Sequence, residues 1–132
     1  KGQFSGIGIV SDSYVFSNVI APWLPPHSDH IALFIGKGWQ DPGLICHRDN
    51  EKYSNEGFED NQILRLEFDS IKGTLILFID NVQQPVYISK IKEKVRFIFH
   101  IGGNYSSCLI RSLKKLEAPT SSQVENEKTV QW

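Results

Sequence analysis

Ile63-Leu64-Arg65-Leu66-Glu67-Phe68-Asp69, then Ser70-Ile71-Lys72-Gly73, then Thr74-Leu75-Ile76-Leu77-Phe78-Ile79-Asp80 is the stretch whose reading decides the fold. Leu64, Leu66 and Phe68 fall on one face of an extended chain, and Arg65, Glu67 and Asp69 share the other with Ile63, the period-two pattern of a strand wet on one side. Leu75 to Ile79 is apolar on both faces, as expected of a central strand covered on both sides. The four residues between, ending in glycine, make the pair a hairpin.

The same grammar extends in both directions. Toward higher numbers, Asn81 to Pro85 turns into a strand over Val86 to Ser89. Val95 to Ile101 follows, with Val95, Phe97 and Phe99 alternating with Arg96, Ile98 and His100. After the turn Gly102-Gly103-Asn104, the segment Cys108 to Leu113 closes the ordered pattern. Toward lower numbers, Leu44 to His47 and Ile31 to Ile35 are strands separated by the Gly36-Lys37-Gly38 turn. Ile7 to Val10 is the first strand and Val15 to Ile20 a candidate second. Pro22, Pro25 and Pro26 forbid regular pairing in the loop that follows. From Arg48 to Asn61 the chain is polar and reads as a loop anchored by Tyr53 and Phe58. No helical period of ten or more residues interrupts this. Strands every 8 to 12 residues, with turn residues between them, predict an all-β antiparallel sandwich of the concanavalin-like jelly-roll type.

The 132 residues suit one domain. The expected division is a β-sandwich over 1–117 and a polar, flexible tail over 118–132, whose composition buries too little apolar area to offset its ordering entropy. Fourteen Lys and Arg against fifteen Asp and Glu give a net charge of -1, which withholds the general electrostatic attraction that nucleic-acid binding rests on. No apolar run approaches the roughly 20 residues of a membrane-spanning helix. No nucleic-acid partner and no membrane insertion are therefore expected. Cys46 and Cys108 lack C-x-x-C spacing and read as reduced thiols, which fits a cytoplasmic protein.

With the strands in place, residues 4–116 resemble a SPRY domain, the sandwich module of ryanodine receptors, butyrophilins, tripartite-motif ubiquitin ligases and suppressor-of-cytokine-signalling-box adaptors. Gly6-Ile7-Gly8-Ile9-Val10 is similar to the family's early glycine-flanked strand, and Phe58 to Asp69 to its turn and acidic-ended strand. Gly73 to Asn81 is similar to the next strand, which runs into a turn carrying Asn. Three features depart from the pattern. Val82 stands where the family has glycine, and a β-branched residue resists positive φ, so a longer or different turn is expected. Asp60-Asn61 replaces a Gly-Asp pair. The family's one or two strands before Gly6 are expected outside this chain, or replaced at that edge by another segment.

Chemistry is thin by comparison. Glu67 and Asp69 lie about 7 Å apart on one strand face, but no other strand offers matching carboxylates, and they read as solvated residues. Cys46 and His47 are neighbours, so on a strand they point to opposite faces. His27 and His30 alone have metal-like spacing, and both read as exposed loop residues. No catalytic residue, no metal and no cofactor are expected, and the chain reads as a non-enzyme. Binding has better material: Trp23 and Leu24 in the proline loop, Trp39 after the glycine turn, Arg48 and Tyr53 in the polar loop, and Tyr105. Trp, Tyr and Arg dominate interface hot spots. Either Trp23 or Trp39 alone is as well explained as a core plug, and at least one is expected to be exposed. The resemblance implies that such loops bind a protein or peptide partner, as an adaptor choosing substrates for a larger protein would. The alternatives are a lectin-like carbohydrate-binding sandwich and a structural module within a large assembly.

Overall fold

A computed structural model of the chain describes residues 5–16, 21–50, 52–103 and 106–132. The described residues form nine strands: β1 (Ser5–Ser11), β2 (Ile31–Ile35), β3 (Ile45–Cys46), β4 (Leu64–Asp69), β5 (Thr74–Ile79), β6 (Val82–Gln83), β7 (Val86–Ser89), β8 (Val95–Ile101) and β9 (Lys128–Gln131). Among the described residues, a 3-10 turn at His27–Asp29 is the sole helical element. The strands make two sheets, ordered β3-β2-β1-β8 and β4-β5-β7-β9, with β6 paired to β5. Every pairing is antiparallel except β7 with β9, which is parallel. The all-β sandwich expected from the strand spacing is the observed fold.

Period two explains the core between the sheets. Ile9, Ala32, Phe34 and Ile45 from the first sheet meet Leu75, Leu77, Ile79, Val86 and Ile88 from the second, with Phe58 and Ile91 closing the ends. On the outer side of the first sheet, Val10, Ile31, Leu33 and Ile35 form a second buried cluster, covered by Tyr14, Trp23 and Trp39. All five residues of β2 are therefore buried. The outer side of β5 is covered differently: the Arg65 guanidinium lies 3.6 Å from the centre of the Phe78 ring, which is buried.

Four expectations need correction. The hairpin between β5 and β6 has only two turn residues, Asp80 and Asn81, with φ of 48° and 66°. Asp and Asn tolerate the left-handed region, so the turn moves one residue back and Val82 pairs with Ile79 as a strand residue. Val15 and Phe16 are exposed and in no strand, because the chain turns at Ser11 and Tyr14; residues 17–20 lie outside the described ones. Cys108 to Leu113 forms no strand either, and Leu109 and Leu113 are 82% and 81% exposed. Finally, the polar stretch after 118 does not stand apart from the body. It crosses the outer face of the second sheet and ends in β9, with Val130 buried in the core.

Glu67 holds the start of that crossing, so its expected solvation is also corrected. Its side chain is almost fully covered. It accepts hydrogen bonds from the Thr120 hydroxyl, the backbone N–H groups of Thr120 (3.0 Å) and Ser121 (3.1 Å), and Arg65 Nη1 (3.0 Å). Burial alone would favour the neutral acid. The bonds from Thr120 and Ser121 outweigh it and hold the carboxyl below its ordinary value of 4.5. Its contribution is thus fully present above pH 4.5 and lost as the pH falls through the lower folded-state value. Replacing Glu67 by Gln should cost about 1–2 kcal/mol near neutral pH. In urea unfolding the gap between wild type and variant should close on acidification. A gap that stays constant with pH would show that the charge contributes nothing.

Candidate functional site

The outer face of the first sheet carries the site, and its floor is the fully buried β2. Over this floor the loop of residues 21–30 is pinned by backbone bonds at both ends. Leu24 N–H donates to Ala21 O (2.9 Å), Ser28 N–H to Leu24 O (3.1 Å), and Ser11 N–H to His30 O (2.9 Å). The Pro25–Pro26 bond is cis. Pro22 is fully buried, so the neighbouring Trp23 is carried down against the apolar floor.

Two groups of rings result. Trp23 and Trp39 lie with centroids 5.1 Å apart, and Trp23 meets the edge of His100 at 6.0 Å. Beside them Tyr14 stacks on His30 at 4.3 Å, shares a 2.7 Å hydrogen bond with His27 Nδ1, and takes Phe16 edge-on at 5.7 Å. His27 and His30 both reach Tyr14 because a 3-10 turn eclipses positions i and i+3. Leu24 stands out from this layer, 53% exposed. At one side Arg96 donates to Tyr14 O (2.7 Å) and lies 3.5 Å from Asp12.

The structure brings Trp23, Leu24 and Trp39 to one face, as the binding reading requires, with both indoles half-buried. Each is at once cover for the core and partly accessible, so neither the plug nor the exposed reading holds alone. Arg48 is exposed, has φ of 48°, and its N–H donates to Ser28 O (3.0 Å), which places it at the rim of the same loop. Tyr53 does not belong to this face. It packs against the core between the sheets, with Lys52 Nζ 5.3 Å from its ring centre. Tyr105 lies outside the described residues. Tyr14, His30 and His100 were not singled out for binding. For Tyr14 and His30 the i, i+3 spacing of His27 and His30 was the available signal, since both histidines meet the Tyr14 ring or its hydroxyl.

The groups considered for catalysis have structural partners. Asp69 Oδ1 accepts the N–H groups of Ile71 and Lys72, both at 2.9 Å, and so shapes the β4–β5 turn. Burial pushes the Cys46 thiol up to about 11, which leaves it protonated and weakly nucleophilic at neutral pH. Cys46 packs under the aromatic layer, whereas His47 turns the other way and stacks on Trp132. Cys46 and Cys108 are unpaired thiols. Among the described residues no three His, Cys, Asp or Glu side chains gather as a metal site would require, and no helix is long and apolar enough to cross a membrane. Two surface depressions have no lining residue from the aromatic face, one lined by Asn55, Glu56, Gln83 and Pro85 among others, the second by Asp41, Pro42, Leu44, Lys52 and Ser54. Comparison of the chain with protein-family models, curated proteins and solved structures finds no match in any of the three.

Proposed function

We propose that this sandwich is a non-catalytic recognition module of the SPRY type, which takes a peptide or protein partner on the face built from Trp23, Leu24 and Trp39. The observation that carries the reading is the Trp23–Trp39 pair, seated on the buried residues of β2 with Leu24 protruding beside it. Rings already fixed by the fold lose little conformational freedom on binding, and large flat side chains in a dry setting are what make interface hot spots. Leu24 and the indole edges supply the apolar anchor. Arg48 at the rim orients an acidic group of the partner, and being exposed it contributes more to steering than to affinity. In a larger protein such a face selects the substrate or partner on which the rest acts.

The test separates binding from folding. Peptides selected from a random display library on the wild-type chain should lose about tenfold or more in affinity for Leu24→Asp. The melting temperature should stay near wild type, because Leu24 supports little of the core. Trp39→Ala should lose binding too, with a cost in stability of about 1–2 kcal/mol. Selected peptides that bind Leu24→Asp as well as wild type overturn the site. A glycan array bound only when Trp39 is present replaces the peptide by a carbohydrate ligand.

A further inference from the structure

β9 is a peptide docked on a sheet. Residues 128–131 add in parallel to the edge of β7, with Val86 opposite Lys128 and Ile88 opposite Val130. Lys128 N–H donates to Pro85 O (3.0 Å) and Trp132 N–H to Ser89 O (2.9 Å), while Thr129 and Ser89 share a side-chain hydrogen bond. Only two side chains go in. Val130 enters the core, and Trp132 lies flat on His47, with centroids 5.0 Å apart and planes within 2°. The indole Nε1 donates to Glu93 Oε1 (2.6 Å), which also accepts from Ser11 Oγ (3.0 Å). Lys128, Thr129 and Gln131 are exposed. Main-chain bonds that hold any extended segment, with pockets for alternate side chains, are the anatomy of recognition by strand addition.

His47 is the platform on which the aromatic residue of the resident segment lies. Its Nδ1–H donates to Ile31 O at 2.8 Å, which leaves Nε2 as an acceptor, and that buried atom has no hydrogen-bond partner. Burial lowers the imidazole's affinity for a proton, so the ring beneath the indole is uncharged at neutral pH.

We infer that the β7 edge and the His47 ring form a second peptide-acceptor site, held closed by the chain's own Lys128–Trp132. Its partner is an extended segment running parallel to β7, with a β-branched residue two positions before an aromatic one. The site is separate from the aromatic face and does not rest on it. Because the resident strand is tethered, it competes at an effective concentration in the millimolar range, so the site opens only to a better ligand or when the tether's own strand is weakened.

The probe is a capped, fluorescein-labelled peptide of residues 127–132. Polarisation titrations use the full chain and the full chain carrying Val130→Ala and Trp132→Ala, which vacates the pockets. Binding at least about tenfold tighter to the double variant than to wild type is expected, with no binding of a scrambled peptide. A folded double variant that binds no more tightly than wild type overturns the inference. A second measurement needs no variant. Millimolar unlabelled peptide should speed hydrogen exchange at the Lys128 and Trp132 amides of the wild-type chain, and unchanged protection there overturns the inference as well. The Leu24→Asp variant should respond like wild type in both measurements, so failure of the aromatic face and failure of this site are read separately.

Discussion

Gly8→Ala should cost about 4 kcal/mol or more, most of the stability of a domain at the lower end of the ordinary range of about 5–15 kcal/mol. Gly8 lies in β1, which is flanked on both sides, and pairs with Leu33 of β2 and Ile98 of β8. A methyl group at this position would sit 1.8 Å from the Ala32 carbonyl oxygen and 2.8 Å from its carbon. Both are main-chain atoms of the neighbouring strand, so no rotamer change relieves the clash. β1 would have to leave one of its two partners, and the whole first sheet depends on that strand. Gly6, two residues away, is the internal control. Its added methyl would meet only Ile35 and Leu33 side-chain atoms at 3.3–3.4 Å, and Gly6→Ala should cost less than about 1 kcal/mol. Urea unfolding of both variants checks the pair. A Gly8→Ala chain that melts with wild type would mean that β1 and β2 are not packed this closely.

Asn55→Ala should cost about 3 kcal/mol. Asn55 is buried and its amide behaves like a piece of strand: Nδ2 donates to Val86 O (2.8 Å), and Oδ1 accepts Val86 N–H (2.7 Å). The need for it follows from the topology. β5 pairs with β7 only at Leu75 and Ile88, since its far end turns to pair with β6. Val86 thus has a backbone donor and acceptor facing a gap, and Asn55 fills both. Alanine would leave two buried backbone groups unsatisfied, each carrying its own desolvation cost. Asn55→Asp keeps the acceptor but sets a carboxylate against the Val86 carbonyl, so it should be destabilised as well and recover in part at acid pH. Thermal unfolding at two pH values reads this directly. An Asn55→Asp chain unaffected at neutral pH would remove the amide from its role.

Strands with a repeated apolar pattern were legible in position: β2, β4, β5, β7 and β8 form where the sequence puts them, although β8 fully buries neither face and its Phe97 and Phe99 are 45% and 44% exposed. Elements held by a few specific groups were not. The stretch after 118 is polar, and its order comes from the acceptor Glu67, 53 and 54 residues before the groups it binds, and from Val130 and Trp132 at its end. Composition averages such anchors away. Cys108 to Leu113 has the side chains of a strand but no neighbour to pair with among the described residues, and pattern alone does not create one. The aromatic face was half legible. Trp23, Leu24 and Trp39 stood out by residue type, whereas Tyr14 and His30 depended on how a turn folds back across β2. Tyr53 carried two readings, anchor of the polar loop and binding residue, and its packing against the core fits the anchor and sets it apart from the aromatic face.

The order of strands in the first sheet also bears on the birth of the molecule. β1 touches β2, close by in the chain, and β8, where Ser5 pairs with Ile101. As a polypeptide lengthens from its first residue, β1 and β2 can meet early, but one edge of β1 stays bare until β8 has been made. Joining ends so distant costs loop-closure entropy before any contact repays it, so pairings of this kind are late and slow. During that interval Ile7 and Ile9 lack the strand beside them, and an unpaired apolar edge is what recruits foreign strands. The first sheet is therefore completed only once β8 has been made, and until then β1 is an edge open to a foreign strand.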